Sequence, residues 1–153
     1  MERIGLILAL LFSALAHGAD QIAFKTGVGT TTDTKSAVYS IGFENKIQGD
    51  SFYKLDFGAW TDNEATHQSA PFFSPVVGYH LGDADGFSFN PVFGILIMGY
   101  PDSVLGSPFN FTEELAIGYK HVSIGWKHIS NGGTASPNKG RDYLFLNIGF
   151  PLN

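Results

Sequence analysis

The run "WKHISNGGTASPNKGRDYLFLNIGF", from Trp126 to Phe150, carries His128, Ser130 and Asp142 close to the end of the chain. A carboxylate that holds one imidazole nitrogen while the other takes a hydroxyl proton makes a serine nucleophilic toward an ester carbonyl. These three side chains are a sufficient set for acyl transfer. The chain has no cysteine, which removes thiolate nucleophiles, thiolate metal sites and disulfides. His121 and His128 stand at opposite parities of one strand-like run, so no shared metal site is expected, and no cofactor either.

Everything around these residues alternates with period two. Ile22, Phe24, Thr26 and Val28 share a face, as do Ala37, Tyr39, Ile41 and Phe43, and then Tyr53, Leu55, Phe57 and Ala59. The pattern continues through Val77, Tyr79 and Leu81, through Phe89, Phe93, Ile95 and Ile97, and through Phe109, Phe111, Leu115, Ile117 and Tyr119. Val122, Ile124 and Trp126 form a seventh set, and Leu144, Leu146, Ile148 and Phe150 an eighth. Segments of about nine to eleven residues suit tilted strands that cross a bilayer. Their connections alternate in length: "IQGD", "GDADG" and "YKHV" are tight, whereas "TTDTKS", "TDNEATHQSAPF", "YPDSVLGSP" and "NGGTASPNKGR" are mostly longer and polar. A rim of short turns opposite a rim of longer loops is the habit of bacterial outer-membrane barrels. The expected fold is all-β, an eight-stranded antiparallel transmembrane β-barrel.

The 153 residues make one domain, and a net charge of −5 offers no basic patch for nucleic acid. At the N-terminus, "MERIGLILALLFSALAHGADQ" has Arg3, a short apolar run from Ile4 to Leu15 and small residues at Ala14, Ala16, Gly18 and Ala19. Residues 1–18 are therefore expected to be a cleaved secretory signal peptide and residues 19–153 the barrel. A soluble ligand-carrying barrel alternates in the same way. The face opposite the apolar sets decides against it, because Gly27, Gly29, Gly42, Gly58, Ala116, Gly118 and Gly149 with few charges make a poor solvent surface but fill a narrow lumen well. Lys54, Asp56, Glu44 and Glu114 fall on this inner face.

With the apolar sets outward, parity also orients the chemistry. His128 and Ser130 continue the face of Trp126, and Asp142 continues that of Leu144, so all three face outward at the loop rim. Same-face neighbours on a strand are about 6.6 Å apart and opposite residues on paired strands about 5 Å, so Asp142 is within reach of His128 across the hairpin. The alternative is that these are ordinary polar residues at a membrane interface, and spacing alone leaves it open.

The motif "HISNGG" followed by "PNKGRD" resembles the C-terminal signature of the PagL-type lipid A 3-O-deacylases. The resemblance covers about the last thirty residues, with His128 and Ser130 at the family's histidine and serine. Asp142 stands where the family more often has glutamate. The resemblance implies Asn131 and Asn138, with Gly132 and its neighbours, as stabilisers of the oxyanion. It also implies lipid A of lipopolysaccharide as substrate, outer-membrane lipids as surroundings, an active site facing the outer leaflet, and no metal. A homodimer is left open. The competing reading is a non-catalytic outer-membrane barrel with a structural or ligand-binding role, which has no need of Ser130 beside His128.

Overall fold

A computed structural model describes residues 18–30, 36–62, 70–83, 86–100 and 104–152. The expected signal peptide falls almost wholly outside them. The strands are β1 (Gln21–Gly29), β2 (Ser36–Lys46), β3 (Ser51–Asp62), β4 (Ala70–Tyr79), β5 (Leu81–Gly82), β6 (Phe87–Met98), β7 (Phe109–Tyr119), β8 (Val122–Ser130) and β9 (Arg141–Pro151). Each long strand pairs antiparallel with its sequence neighbours, and β1 with β9 closes the sheet. The short β5 prolongs β4, because Val77↔Phe93 and Leu81↔Phe89 lie on one register against β6. The result is a closed barrel of eight strands.

The fourth strand begins earlier than the alternation suggested, at Ala70, and runs through Pro71 and Pro75. Proline has no N–H to give the ladder, and the β4–β6 pairing skips this point. The hydroxyl of Ser74 donates instead to the Ile95 carbonyl at 2.8 Å, so the acceptor opposite Pro75 is not left empty.

Burial is inverted relative to a water-soluble protein. Phe24, Phe93, Ile117, Ile124 and Leu144 project from the wall, whereas Lys25, Lys54, Asp56, Glu114 and Lys127 are buried inside it. On β8, Ile124 is 64% exposed whereas Lys127, of opposite parity, is 1% exposed. A soluble barrel would pay heavily for both faces, so the lipid-facing assignment stands.

The lumen is filled. Toward the loop rim, Trp60, Phe72, Leu96, Leu105, Ile129 and Tyr143 belong to one apolar cluster. Next to it, Glu114 accepts from Lys25 Nζ at 2.6 Å and from Lys127 Nζ at 2.9 Å, and Lys25 and Lys54 also face Asp56. Phe52, Val76 and Val92 form a second apolar cluster, and His80 bridges Glu44 and Asn90 nearby. Glycines thin the wall where large lumenal groups lie: a Cβ on Gly42 would fall 2.3 Å from Asp56 Oδ1.

Candidate active site

The β8–β9 hairpin supplies the site. Its register sets His128 directly opposite Asp142, with Trp126 opposite Leu144 on the same outward face. On the other flank, His128 is registered with Glu113 and Ser130 with Phe111 of β7. Inward residues of the same stretch, Lys127, Ile129, Arg141 and Tyr143, are buried in the lumen. One strand thus alternates between barrel core and site.

His128 Nδ1 lies 2.8 Å from Asp142 Oδ1. A carboxylate only accepts, so Nδ1 donates and the lone pair of Nε2 stays available for a proton. Both side chains are about a third exposed, at 30% and 28%, which leaves the pair accessible from outside the barrel. A cross-strand pair brings Cβ atoms to about 5 Å, and the one-methylene side chain of aspartate spans that gap. Register explains why the shorter acid reaches the imidazole here. The Ser130 hydroxyl, half-buried two residues along on the same face, has no hydrogen-bond partner among the described residues. A hydroxyl with no competing partner is free to turn toward Nε2.

The loop after Ser130 is more ordered by hydrogen bonds than its composition suggests. Asn131 ends the alternation with an inward side chain that is completely buried. Its amide donates to the carbonyls of Leu105, Ala135 and Pro137, and its Oδ1 accepts the Gly133 N–H at 2.8 Å. The expectation that Asn131 stabilises an oxyanion therefore needs correcting: its amide hydrogens are committed to three loop carbonyls, and it organises the loop. Gly133 N–H is committed in the same way.

Asn138 is arranged differently. Its Oδ1 accepts the Asn131 backbone N–H at 3.0 Å. That N–H can only donate, so the amide is oriented with its oxygen toward residue 131 and its NH2 directed away, with no partner among the described residues. Gly132, at φ +63°, likewise keeps an uncommitted backbone N–H in the turn next to Ser130. Asn138 and Gly132 are thus the two expected donors that remain available. His121 sits in the β7–β8 turn, at the far end of β8 from His128.

Two neighbours of the imidazole were not assigned to the site from sequence. Trp126 stacks on His128, with ring centroids 5.7 Å apart and planes 20° from parallel. Gly140 approaches so closely that a Cβ there would lie 2.9 Å from His128 Cε1. In the sequence Trp126 is visible only as a same-face neighbour of His128. Gly140 gave no sequence signal beyond lying in a glycine-containing loop. Below Trp126 an apolar groove of about 530 Å³ runs along the outer wall between Leu115, Ile117, Ile124, Leu144 and Leu146, floored by Gly125.

A family model described as "Lipid A 3-O-deacylase (PagL)" matches residues 22–151. Among solved structures, the crystal structure of the outer membrane enzyme PagL superposes with a TM-score of 0.66 at 18% identity, covering 86% of this chain and 99% of that one. No curated protein sequence matches the chain. The family match runs from the first strand to the last and takes in the whole β8–β9 site, and on that basis the chain belongs to the PagL family of lipid A 3-O-deacylases.

Proposed function

We propose that this lipid A 3-O-deacylase is a serine esterase whose site, His128, Ser130 and Asp142, faces the outer leaflet. The observation that carries the reading is the 2.8 Å bond from His128 Nδ1 to Asp142, made on the outer wall two residues from an uncommitted serine hydroxyl. A site on the wall meets an acyl ester of a lipid without the lipid leaving the membrane.

Ser130 Oγ attacks the carbonyl carbon of the 3-position ester as His128 Nε2 takes the hydroxyl proton. Asp142 keeps the proton on Nδ1 and stabilises the imidazolium that forms. The oxyanion receives hydrogen bonds from Asn138 Nδ2 and the Gly132 N–H, fixed donors that need no reorganisation as charge develops. Collapse of the intermediate breaks the bond to the sugar oxygen, which takes the proton from Nε2, and leaves Ser130 acylated. Water then adds by the same route, with His128 again base and then acid, and releases a 3-hydroxy fatty acid. The groove below Trp126 offers an apolar bed for the departing chain.

A fluorophosphonate, which mimics an acyl donor at serine, tests the mechanism directly. Peptide mass spectrometry is expected to find the adduct on Ser130 in the wild type and none in His128→Asn. Modification elsewhere, or a wild-type protein that deacylates lipid A yet leaves Ser130 unmodified, would remove the serine mechanism.

A further inference from the structure

His128 is held on more than one side. Asp142 bonds to Nδ1, the indole of Trp126 lies nearly parallel to the ring, and Gly140 lies so near the Cε1 edge that an added Cβ would fall 2.9 Å from it. An imidazole held by one hydrogen bond can still rotate about that bond. A nearly parallel ring beside it limits that rotation, and backbone near the Cε1 edge limits how far the ring can tip. Nε2 makes no hydrogen bond among the described residues.

We infer that Trp126 and Gly140 are positioning residues for the general base, forming with Asp142 a clamp that aims His128 Nε2 at Ser130. The inference rests on the serine-esterase reading above and adds to it two residues that lie beside the imidazole and away from the reacting atoms. The indole does a second thing: when His128 accepts the proton, the imidazolium forms over an aromatic face that attracts a cation. It also keeps lipid tails and water off one side of the base, at a place on the barrel wall that is open to both.

Gly140 has two separable reasons to be glycine. Its φ of +71° disfavours any side chain, and a Cβ would press on His128 Cε1. Gly133 separates them, since it has φ +81° with nothing within 4 Å of an added Cβ. Gly133→Ala introduces comparable backbone strain in the same loop without touching the imidazole.

The experiment uses the full-length barrel in detergent micelles with lipid A as substrate. Trp126→Leu is expected to lower kcat on the order of tenfold to a hundredfold, the scale of a small misplacement of a catalytic group. Trp126→Phe should restore most of it, and KM should change little. The loss should be equal for lipid A with shorter and longer 3-position chains, because it acts on the base. Gly140→Ala should lower kcat by a similar factor, and Gly133→Ala should leave it near wild type. All variants should keep the gel shift between unheated and boiled samples that marks a folded barrel.

A substrate-independent readout is the downfield proton on His128 Nδ1, which reports the bond to Asp142. It should be sharp in the wild type and in Trp126→Phe, and broadened by exchange with water in Trp126→Leu. If the wild type failed to cleave lipid A while this resonance behaved as stated, the functional reading would fall and the clamp would stand. An unchanged resonance in Trp126→Leu, or a loss confined to KM and dependent on chain length, would overturn the clamp and assign Trp126 to the acyl groove. Equal losses in Gly140→Ala and Gly133→Ala would reduce Gly140 to a conformational requirement.

Discussion

Two groups of charged residues lie back to back across the same stretch of wall. Inside, Glu114 is surrounded by Lys25, Lys54 and Lys127, all buried. Outside, His128 and Asp142 form a pair, each about a third exposed, beside a serine with no partner among the described residues. Lys127 and His128 are consecutive, and so are Arg141 and Asp142. The inner group saturates its charges with one another, as removal from water requires. The outer group leaves Nε2, the Ser130 hydroxyl and the Asn138 amide hydrogens uncommitted. Saturation holds the barrel together, and incomplete engagement is what leaves groups available for chemistry. Alternation along a strand lets one segment do both.

This contrast predicts opposite phenotypes for adjacent positions. His128→Asn is expected to reduce deacylation by at least about 10⁴-fold, and Asp142→Asn by about as much, because the amide cannot support the imidazolium. Neither should shift the urea midpoint of barrel unfolding. Removing the lumenal acid does the reverse. Glu114→Gln strands three lysines around a single remaining aspartate and is expected to lower unfolding stability by about 3–5 kcal/mol. The activity of the fraction still folded should stay near wild type. If Glu114→Gln left stability intact and abolished turnover, the division between inner and outer groups would be wrong.

Smaller effects sharpen the outer half. Asn138→Ala removes one oxyanion donor and should lower kcat about 10²- to 10³-fold with an unchanged KM. An equal effect on KM would make Asn138 a substrate-binding group. Asp142→Glu restores the acid more frequent in the family and keeps a carboxylate opposite His128, so steady-state assay should find a rate within about tenfold of wild type.

How much of this was legible in the sequence follows from which interactions are local. Strand faces were readable because alternation is a property of consecutive residues, and the outward placement of His128, Ser130 and Asp142 came from parity alone. The ion cluster was not readable in the same way: Lys25 and Glu114 are 89 positions apart and meet only because the sheet closes. Glu114 was assignable to the lumen, but its partners were not. β4 starts at Ala70, inside the stretch "TDNEATHQSAPF" whose composition reads as a loop, because Pro71 gives the ladder no N–H while its carbonyl still accepts from the Gly99 N–H. Asn131 was misread because the motif drew attention to its amide, while the carbonyls that occupy it come from Leu105 and the loop's own far end. Gly140 reveals its role only through the distance to His128.

The most direct test is mass spectrometry of lipid A from cells that carry the wild-type barrel or Ser130→Ala. Wild type should shift lipid A down by the mass of one 3-hydroxyacyl group and release the matching 3-hydroxy fatty acid. Ser130→Ala, folded and heat-modifiable, should leave lipid A at its full mass. Deacylation at the wild-type rate by the alanine variant would contradict the account, because Ser130 is the nucleophile it assigns.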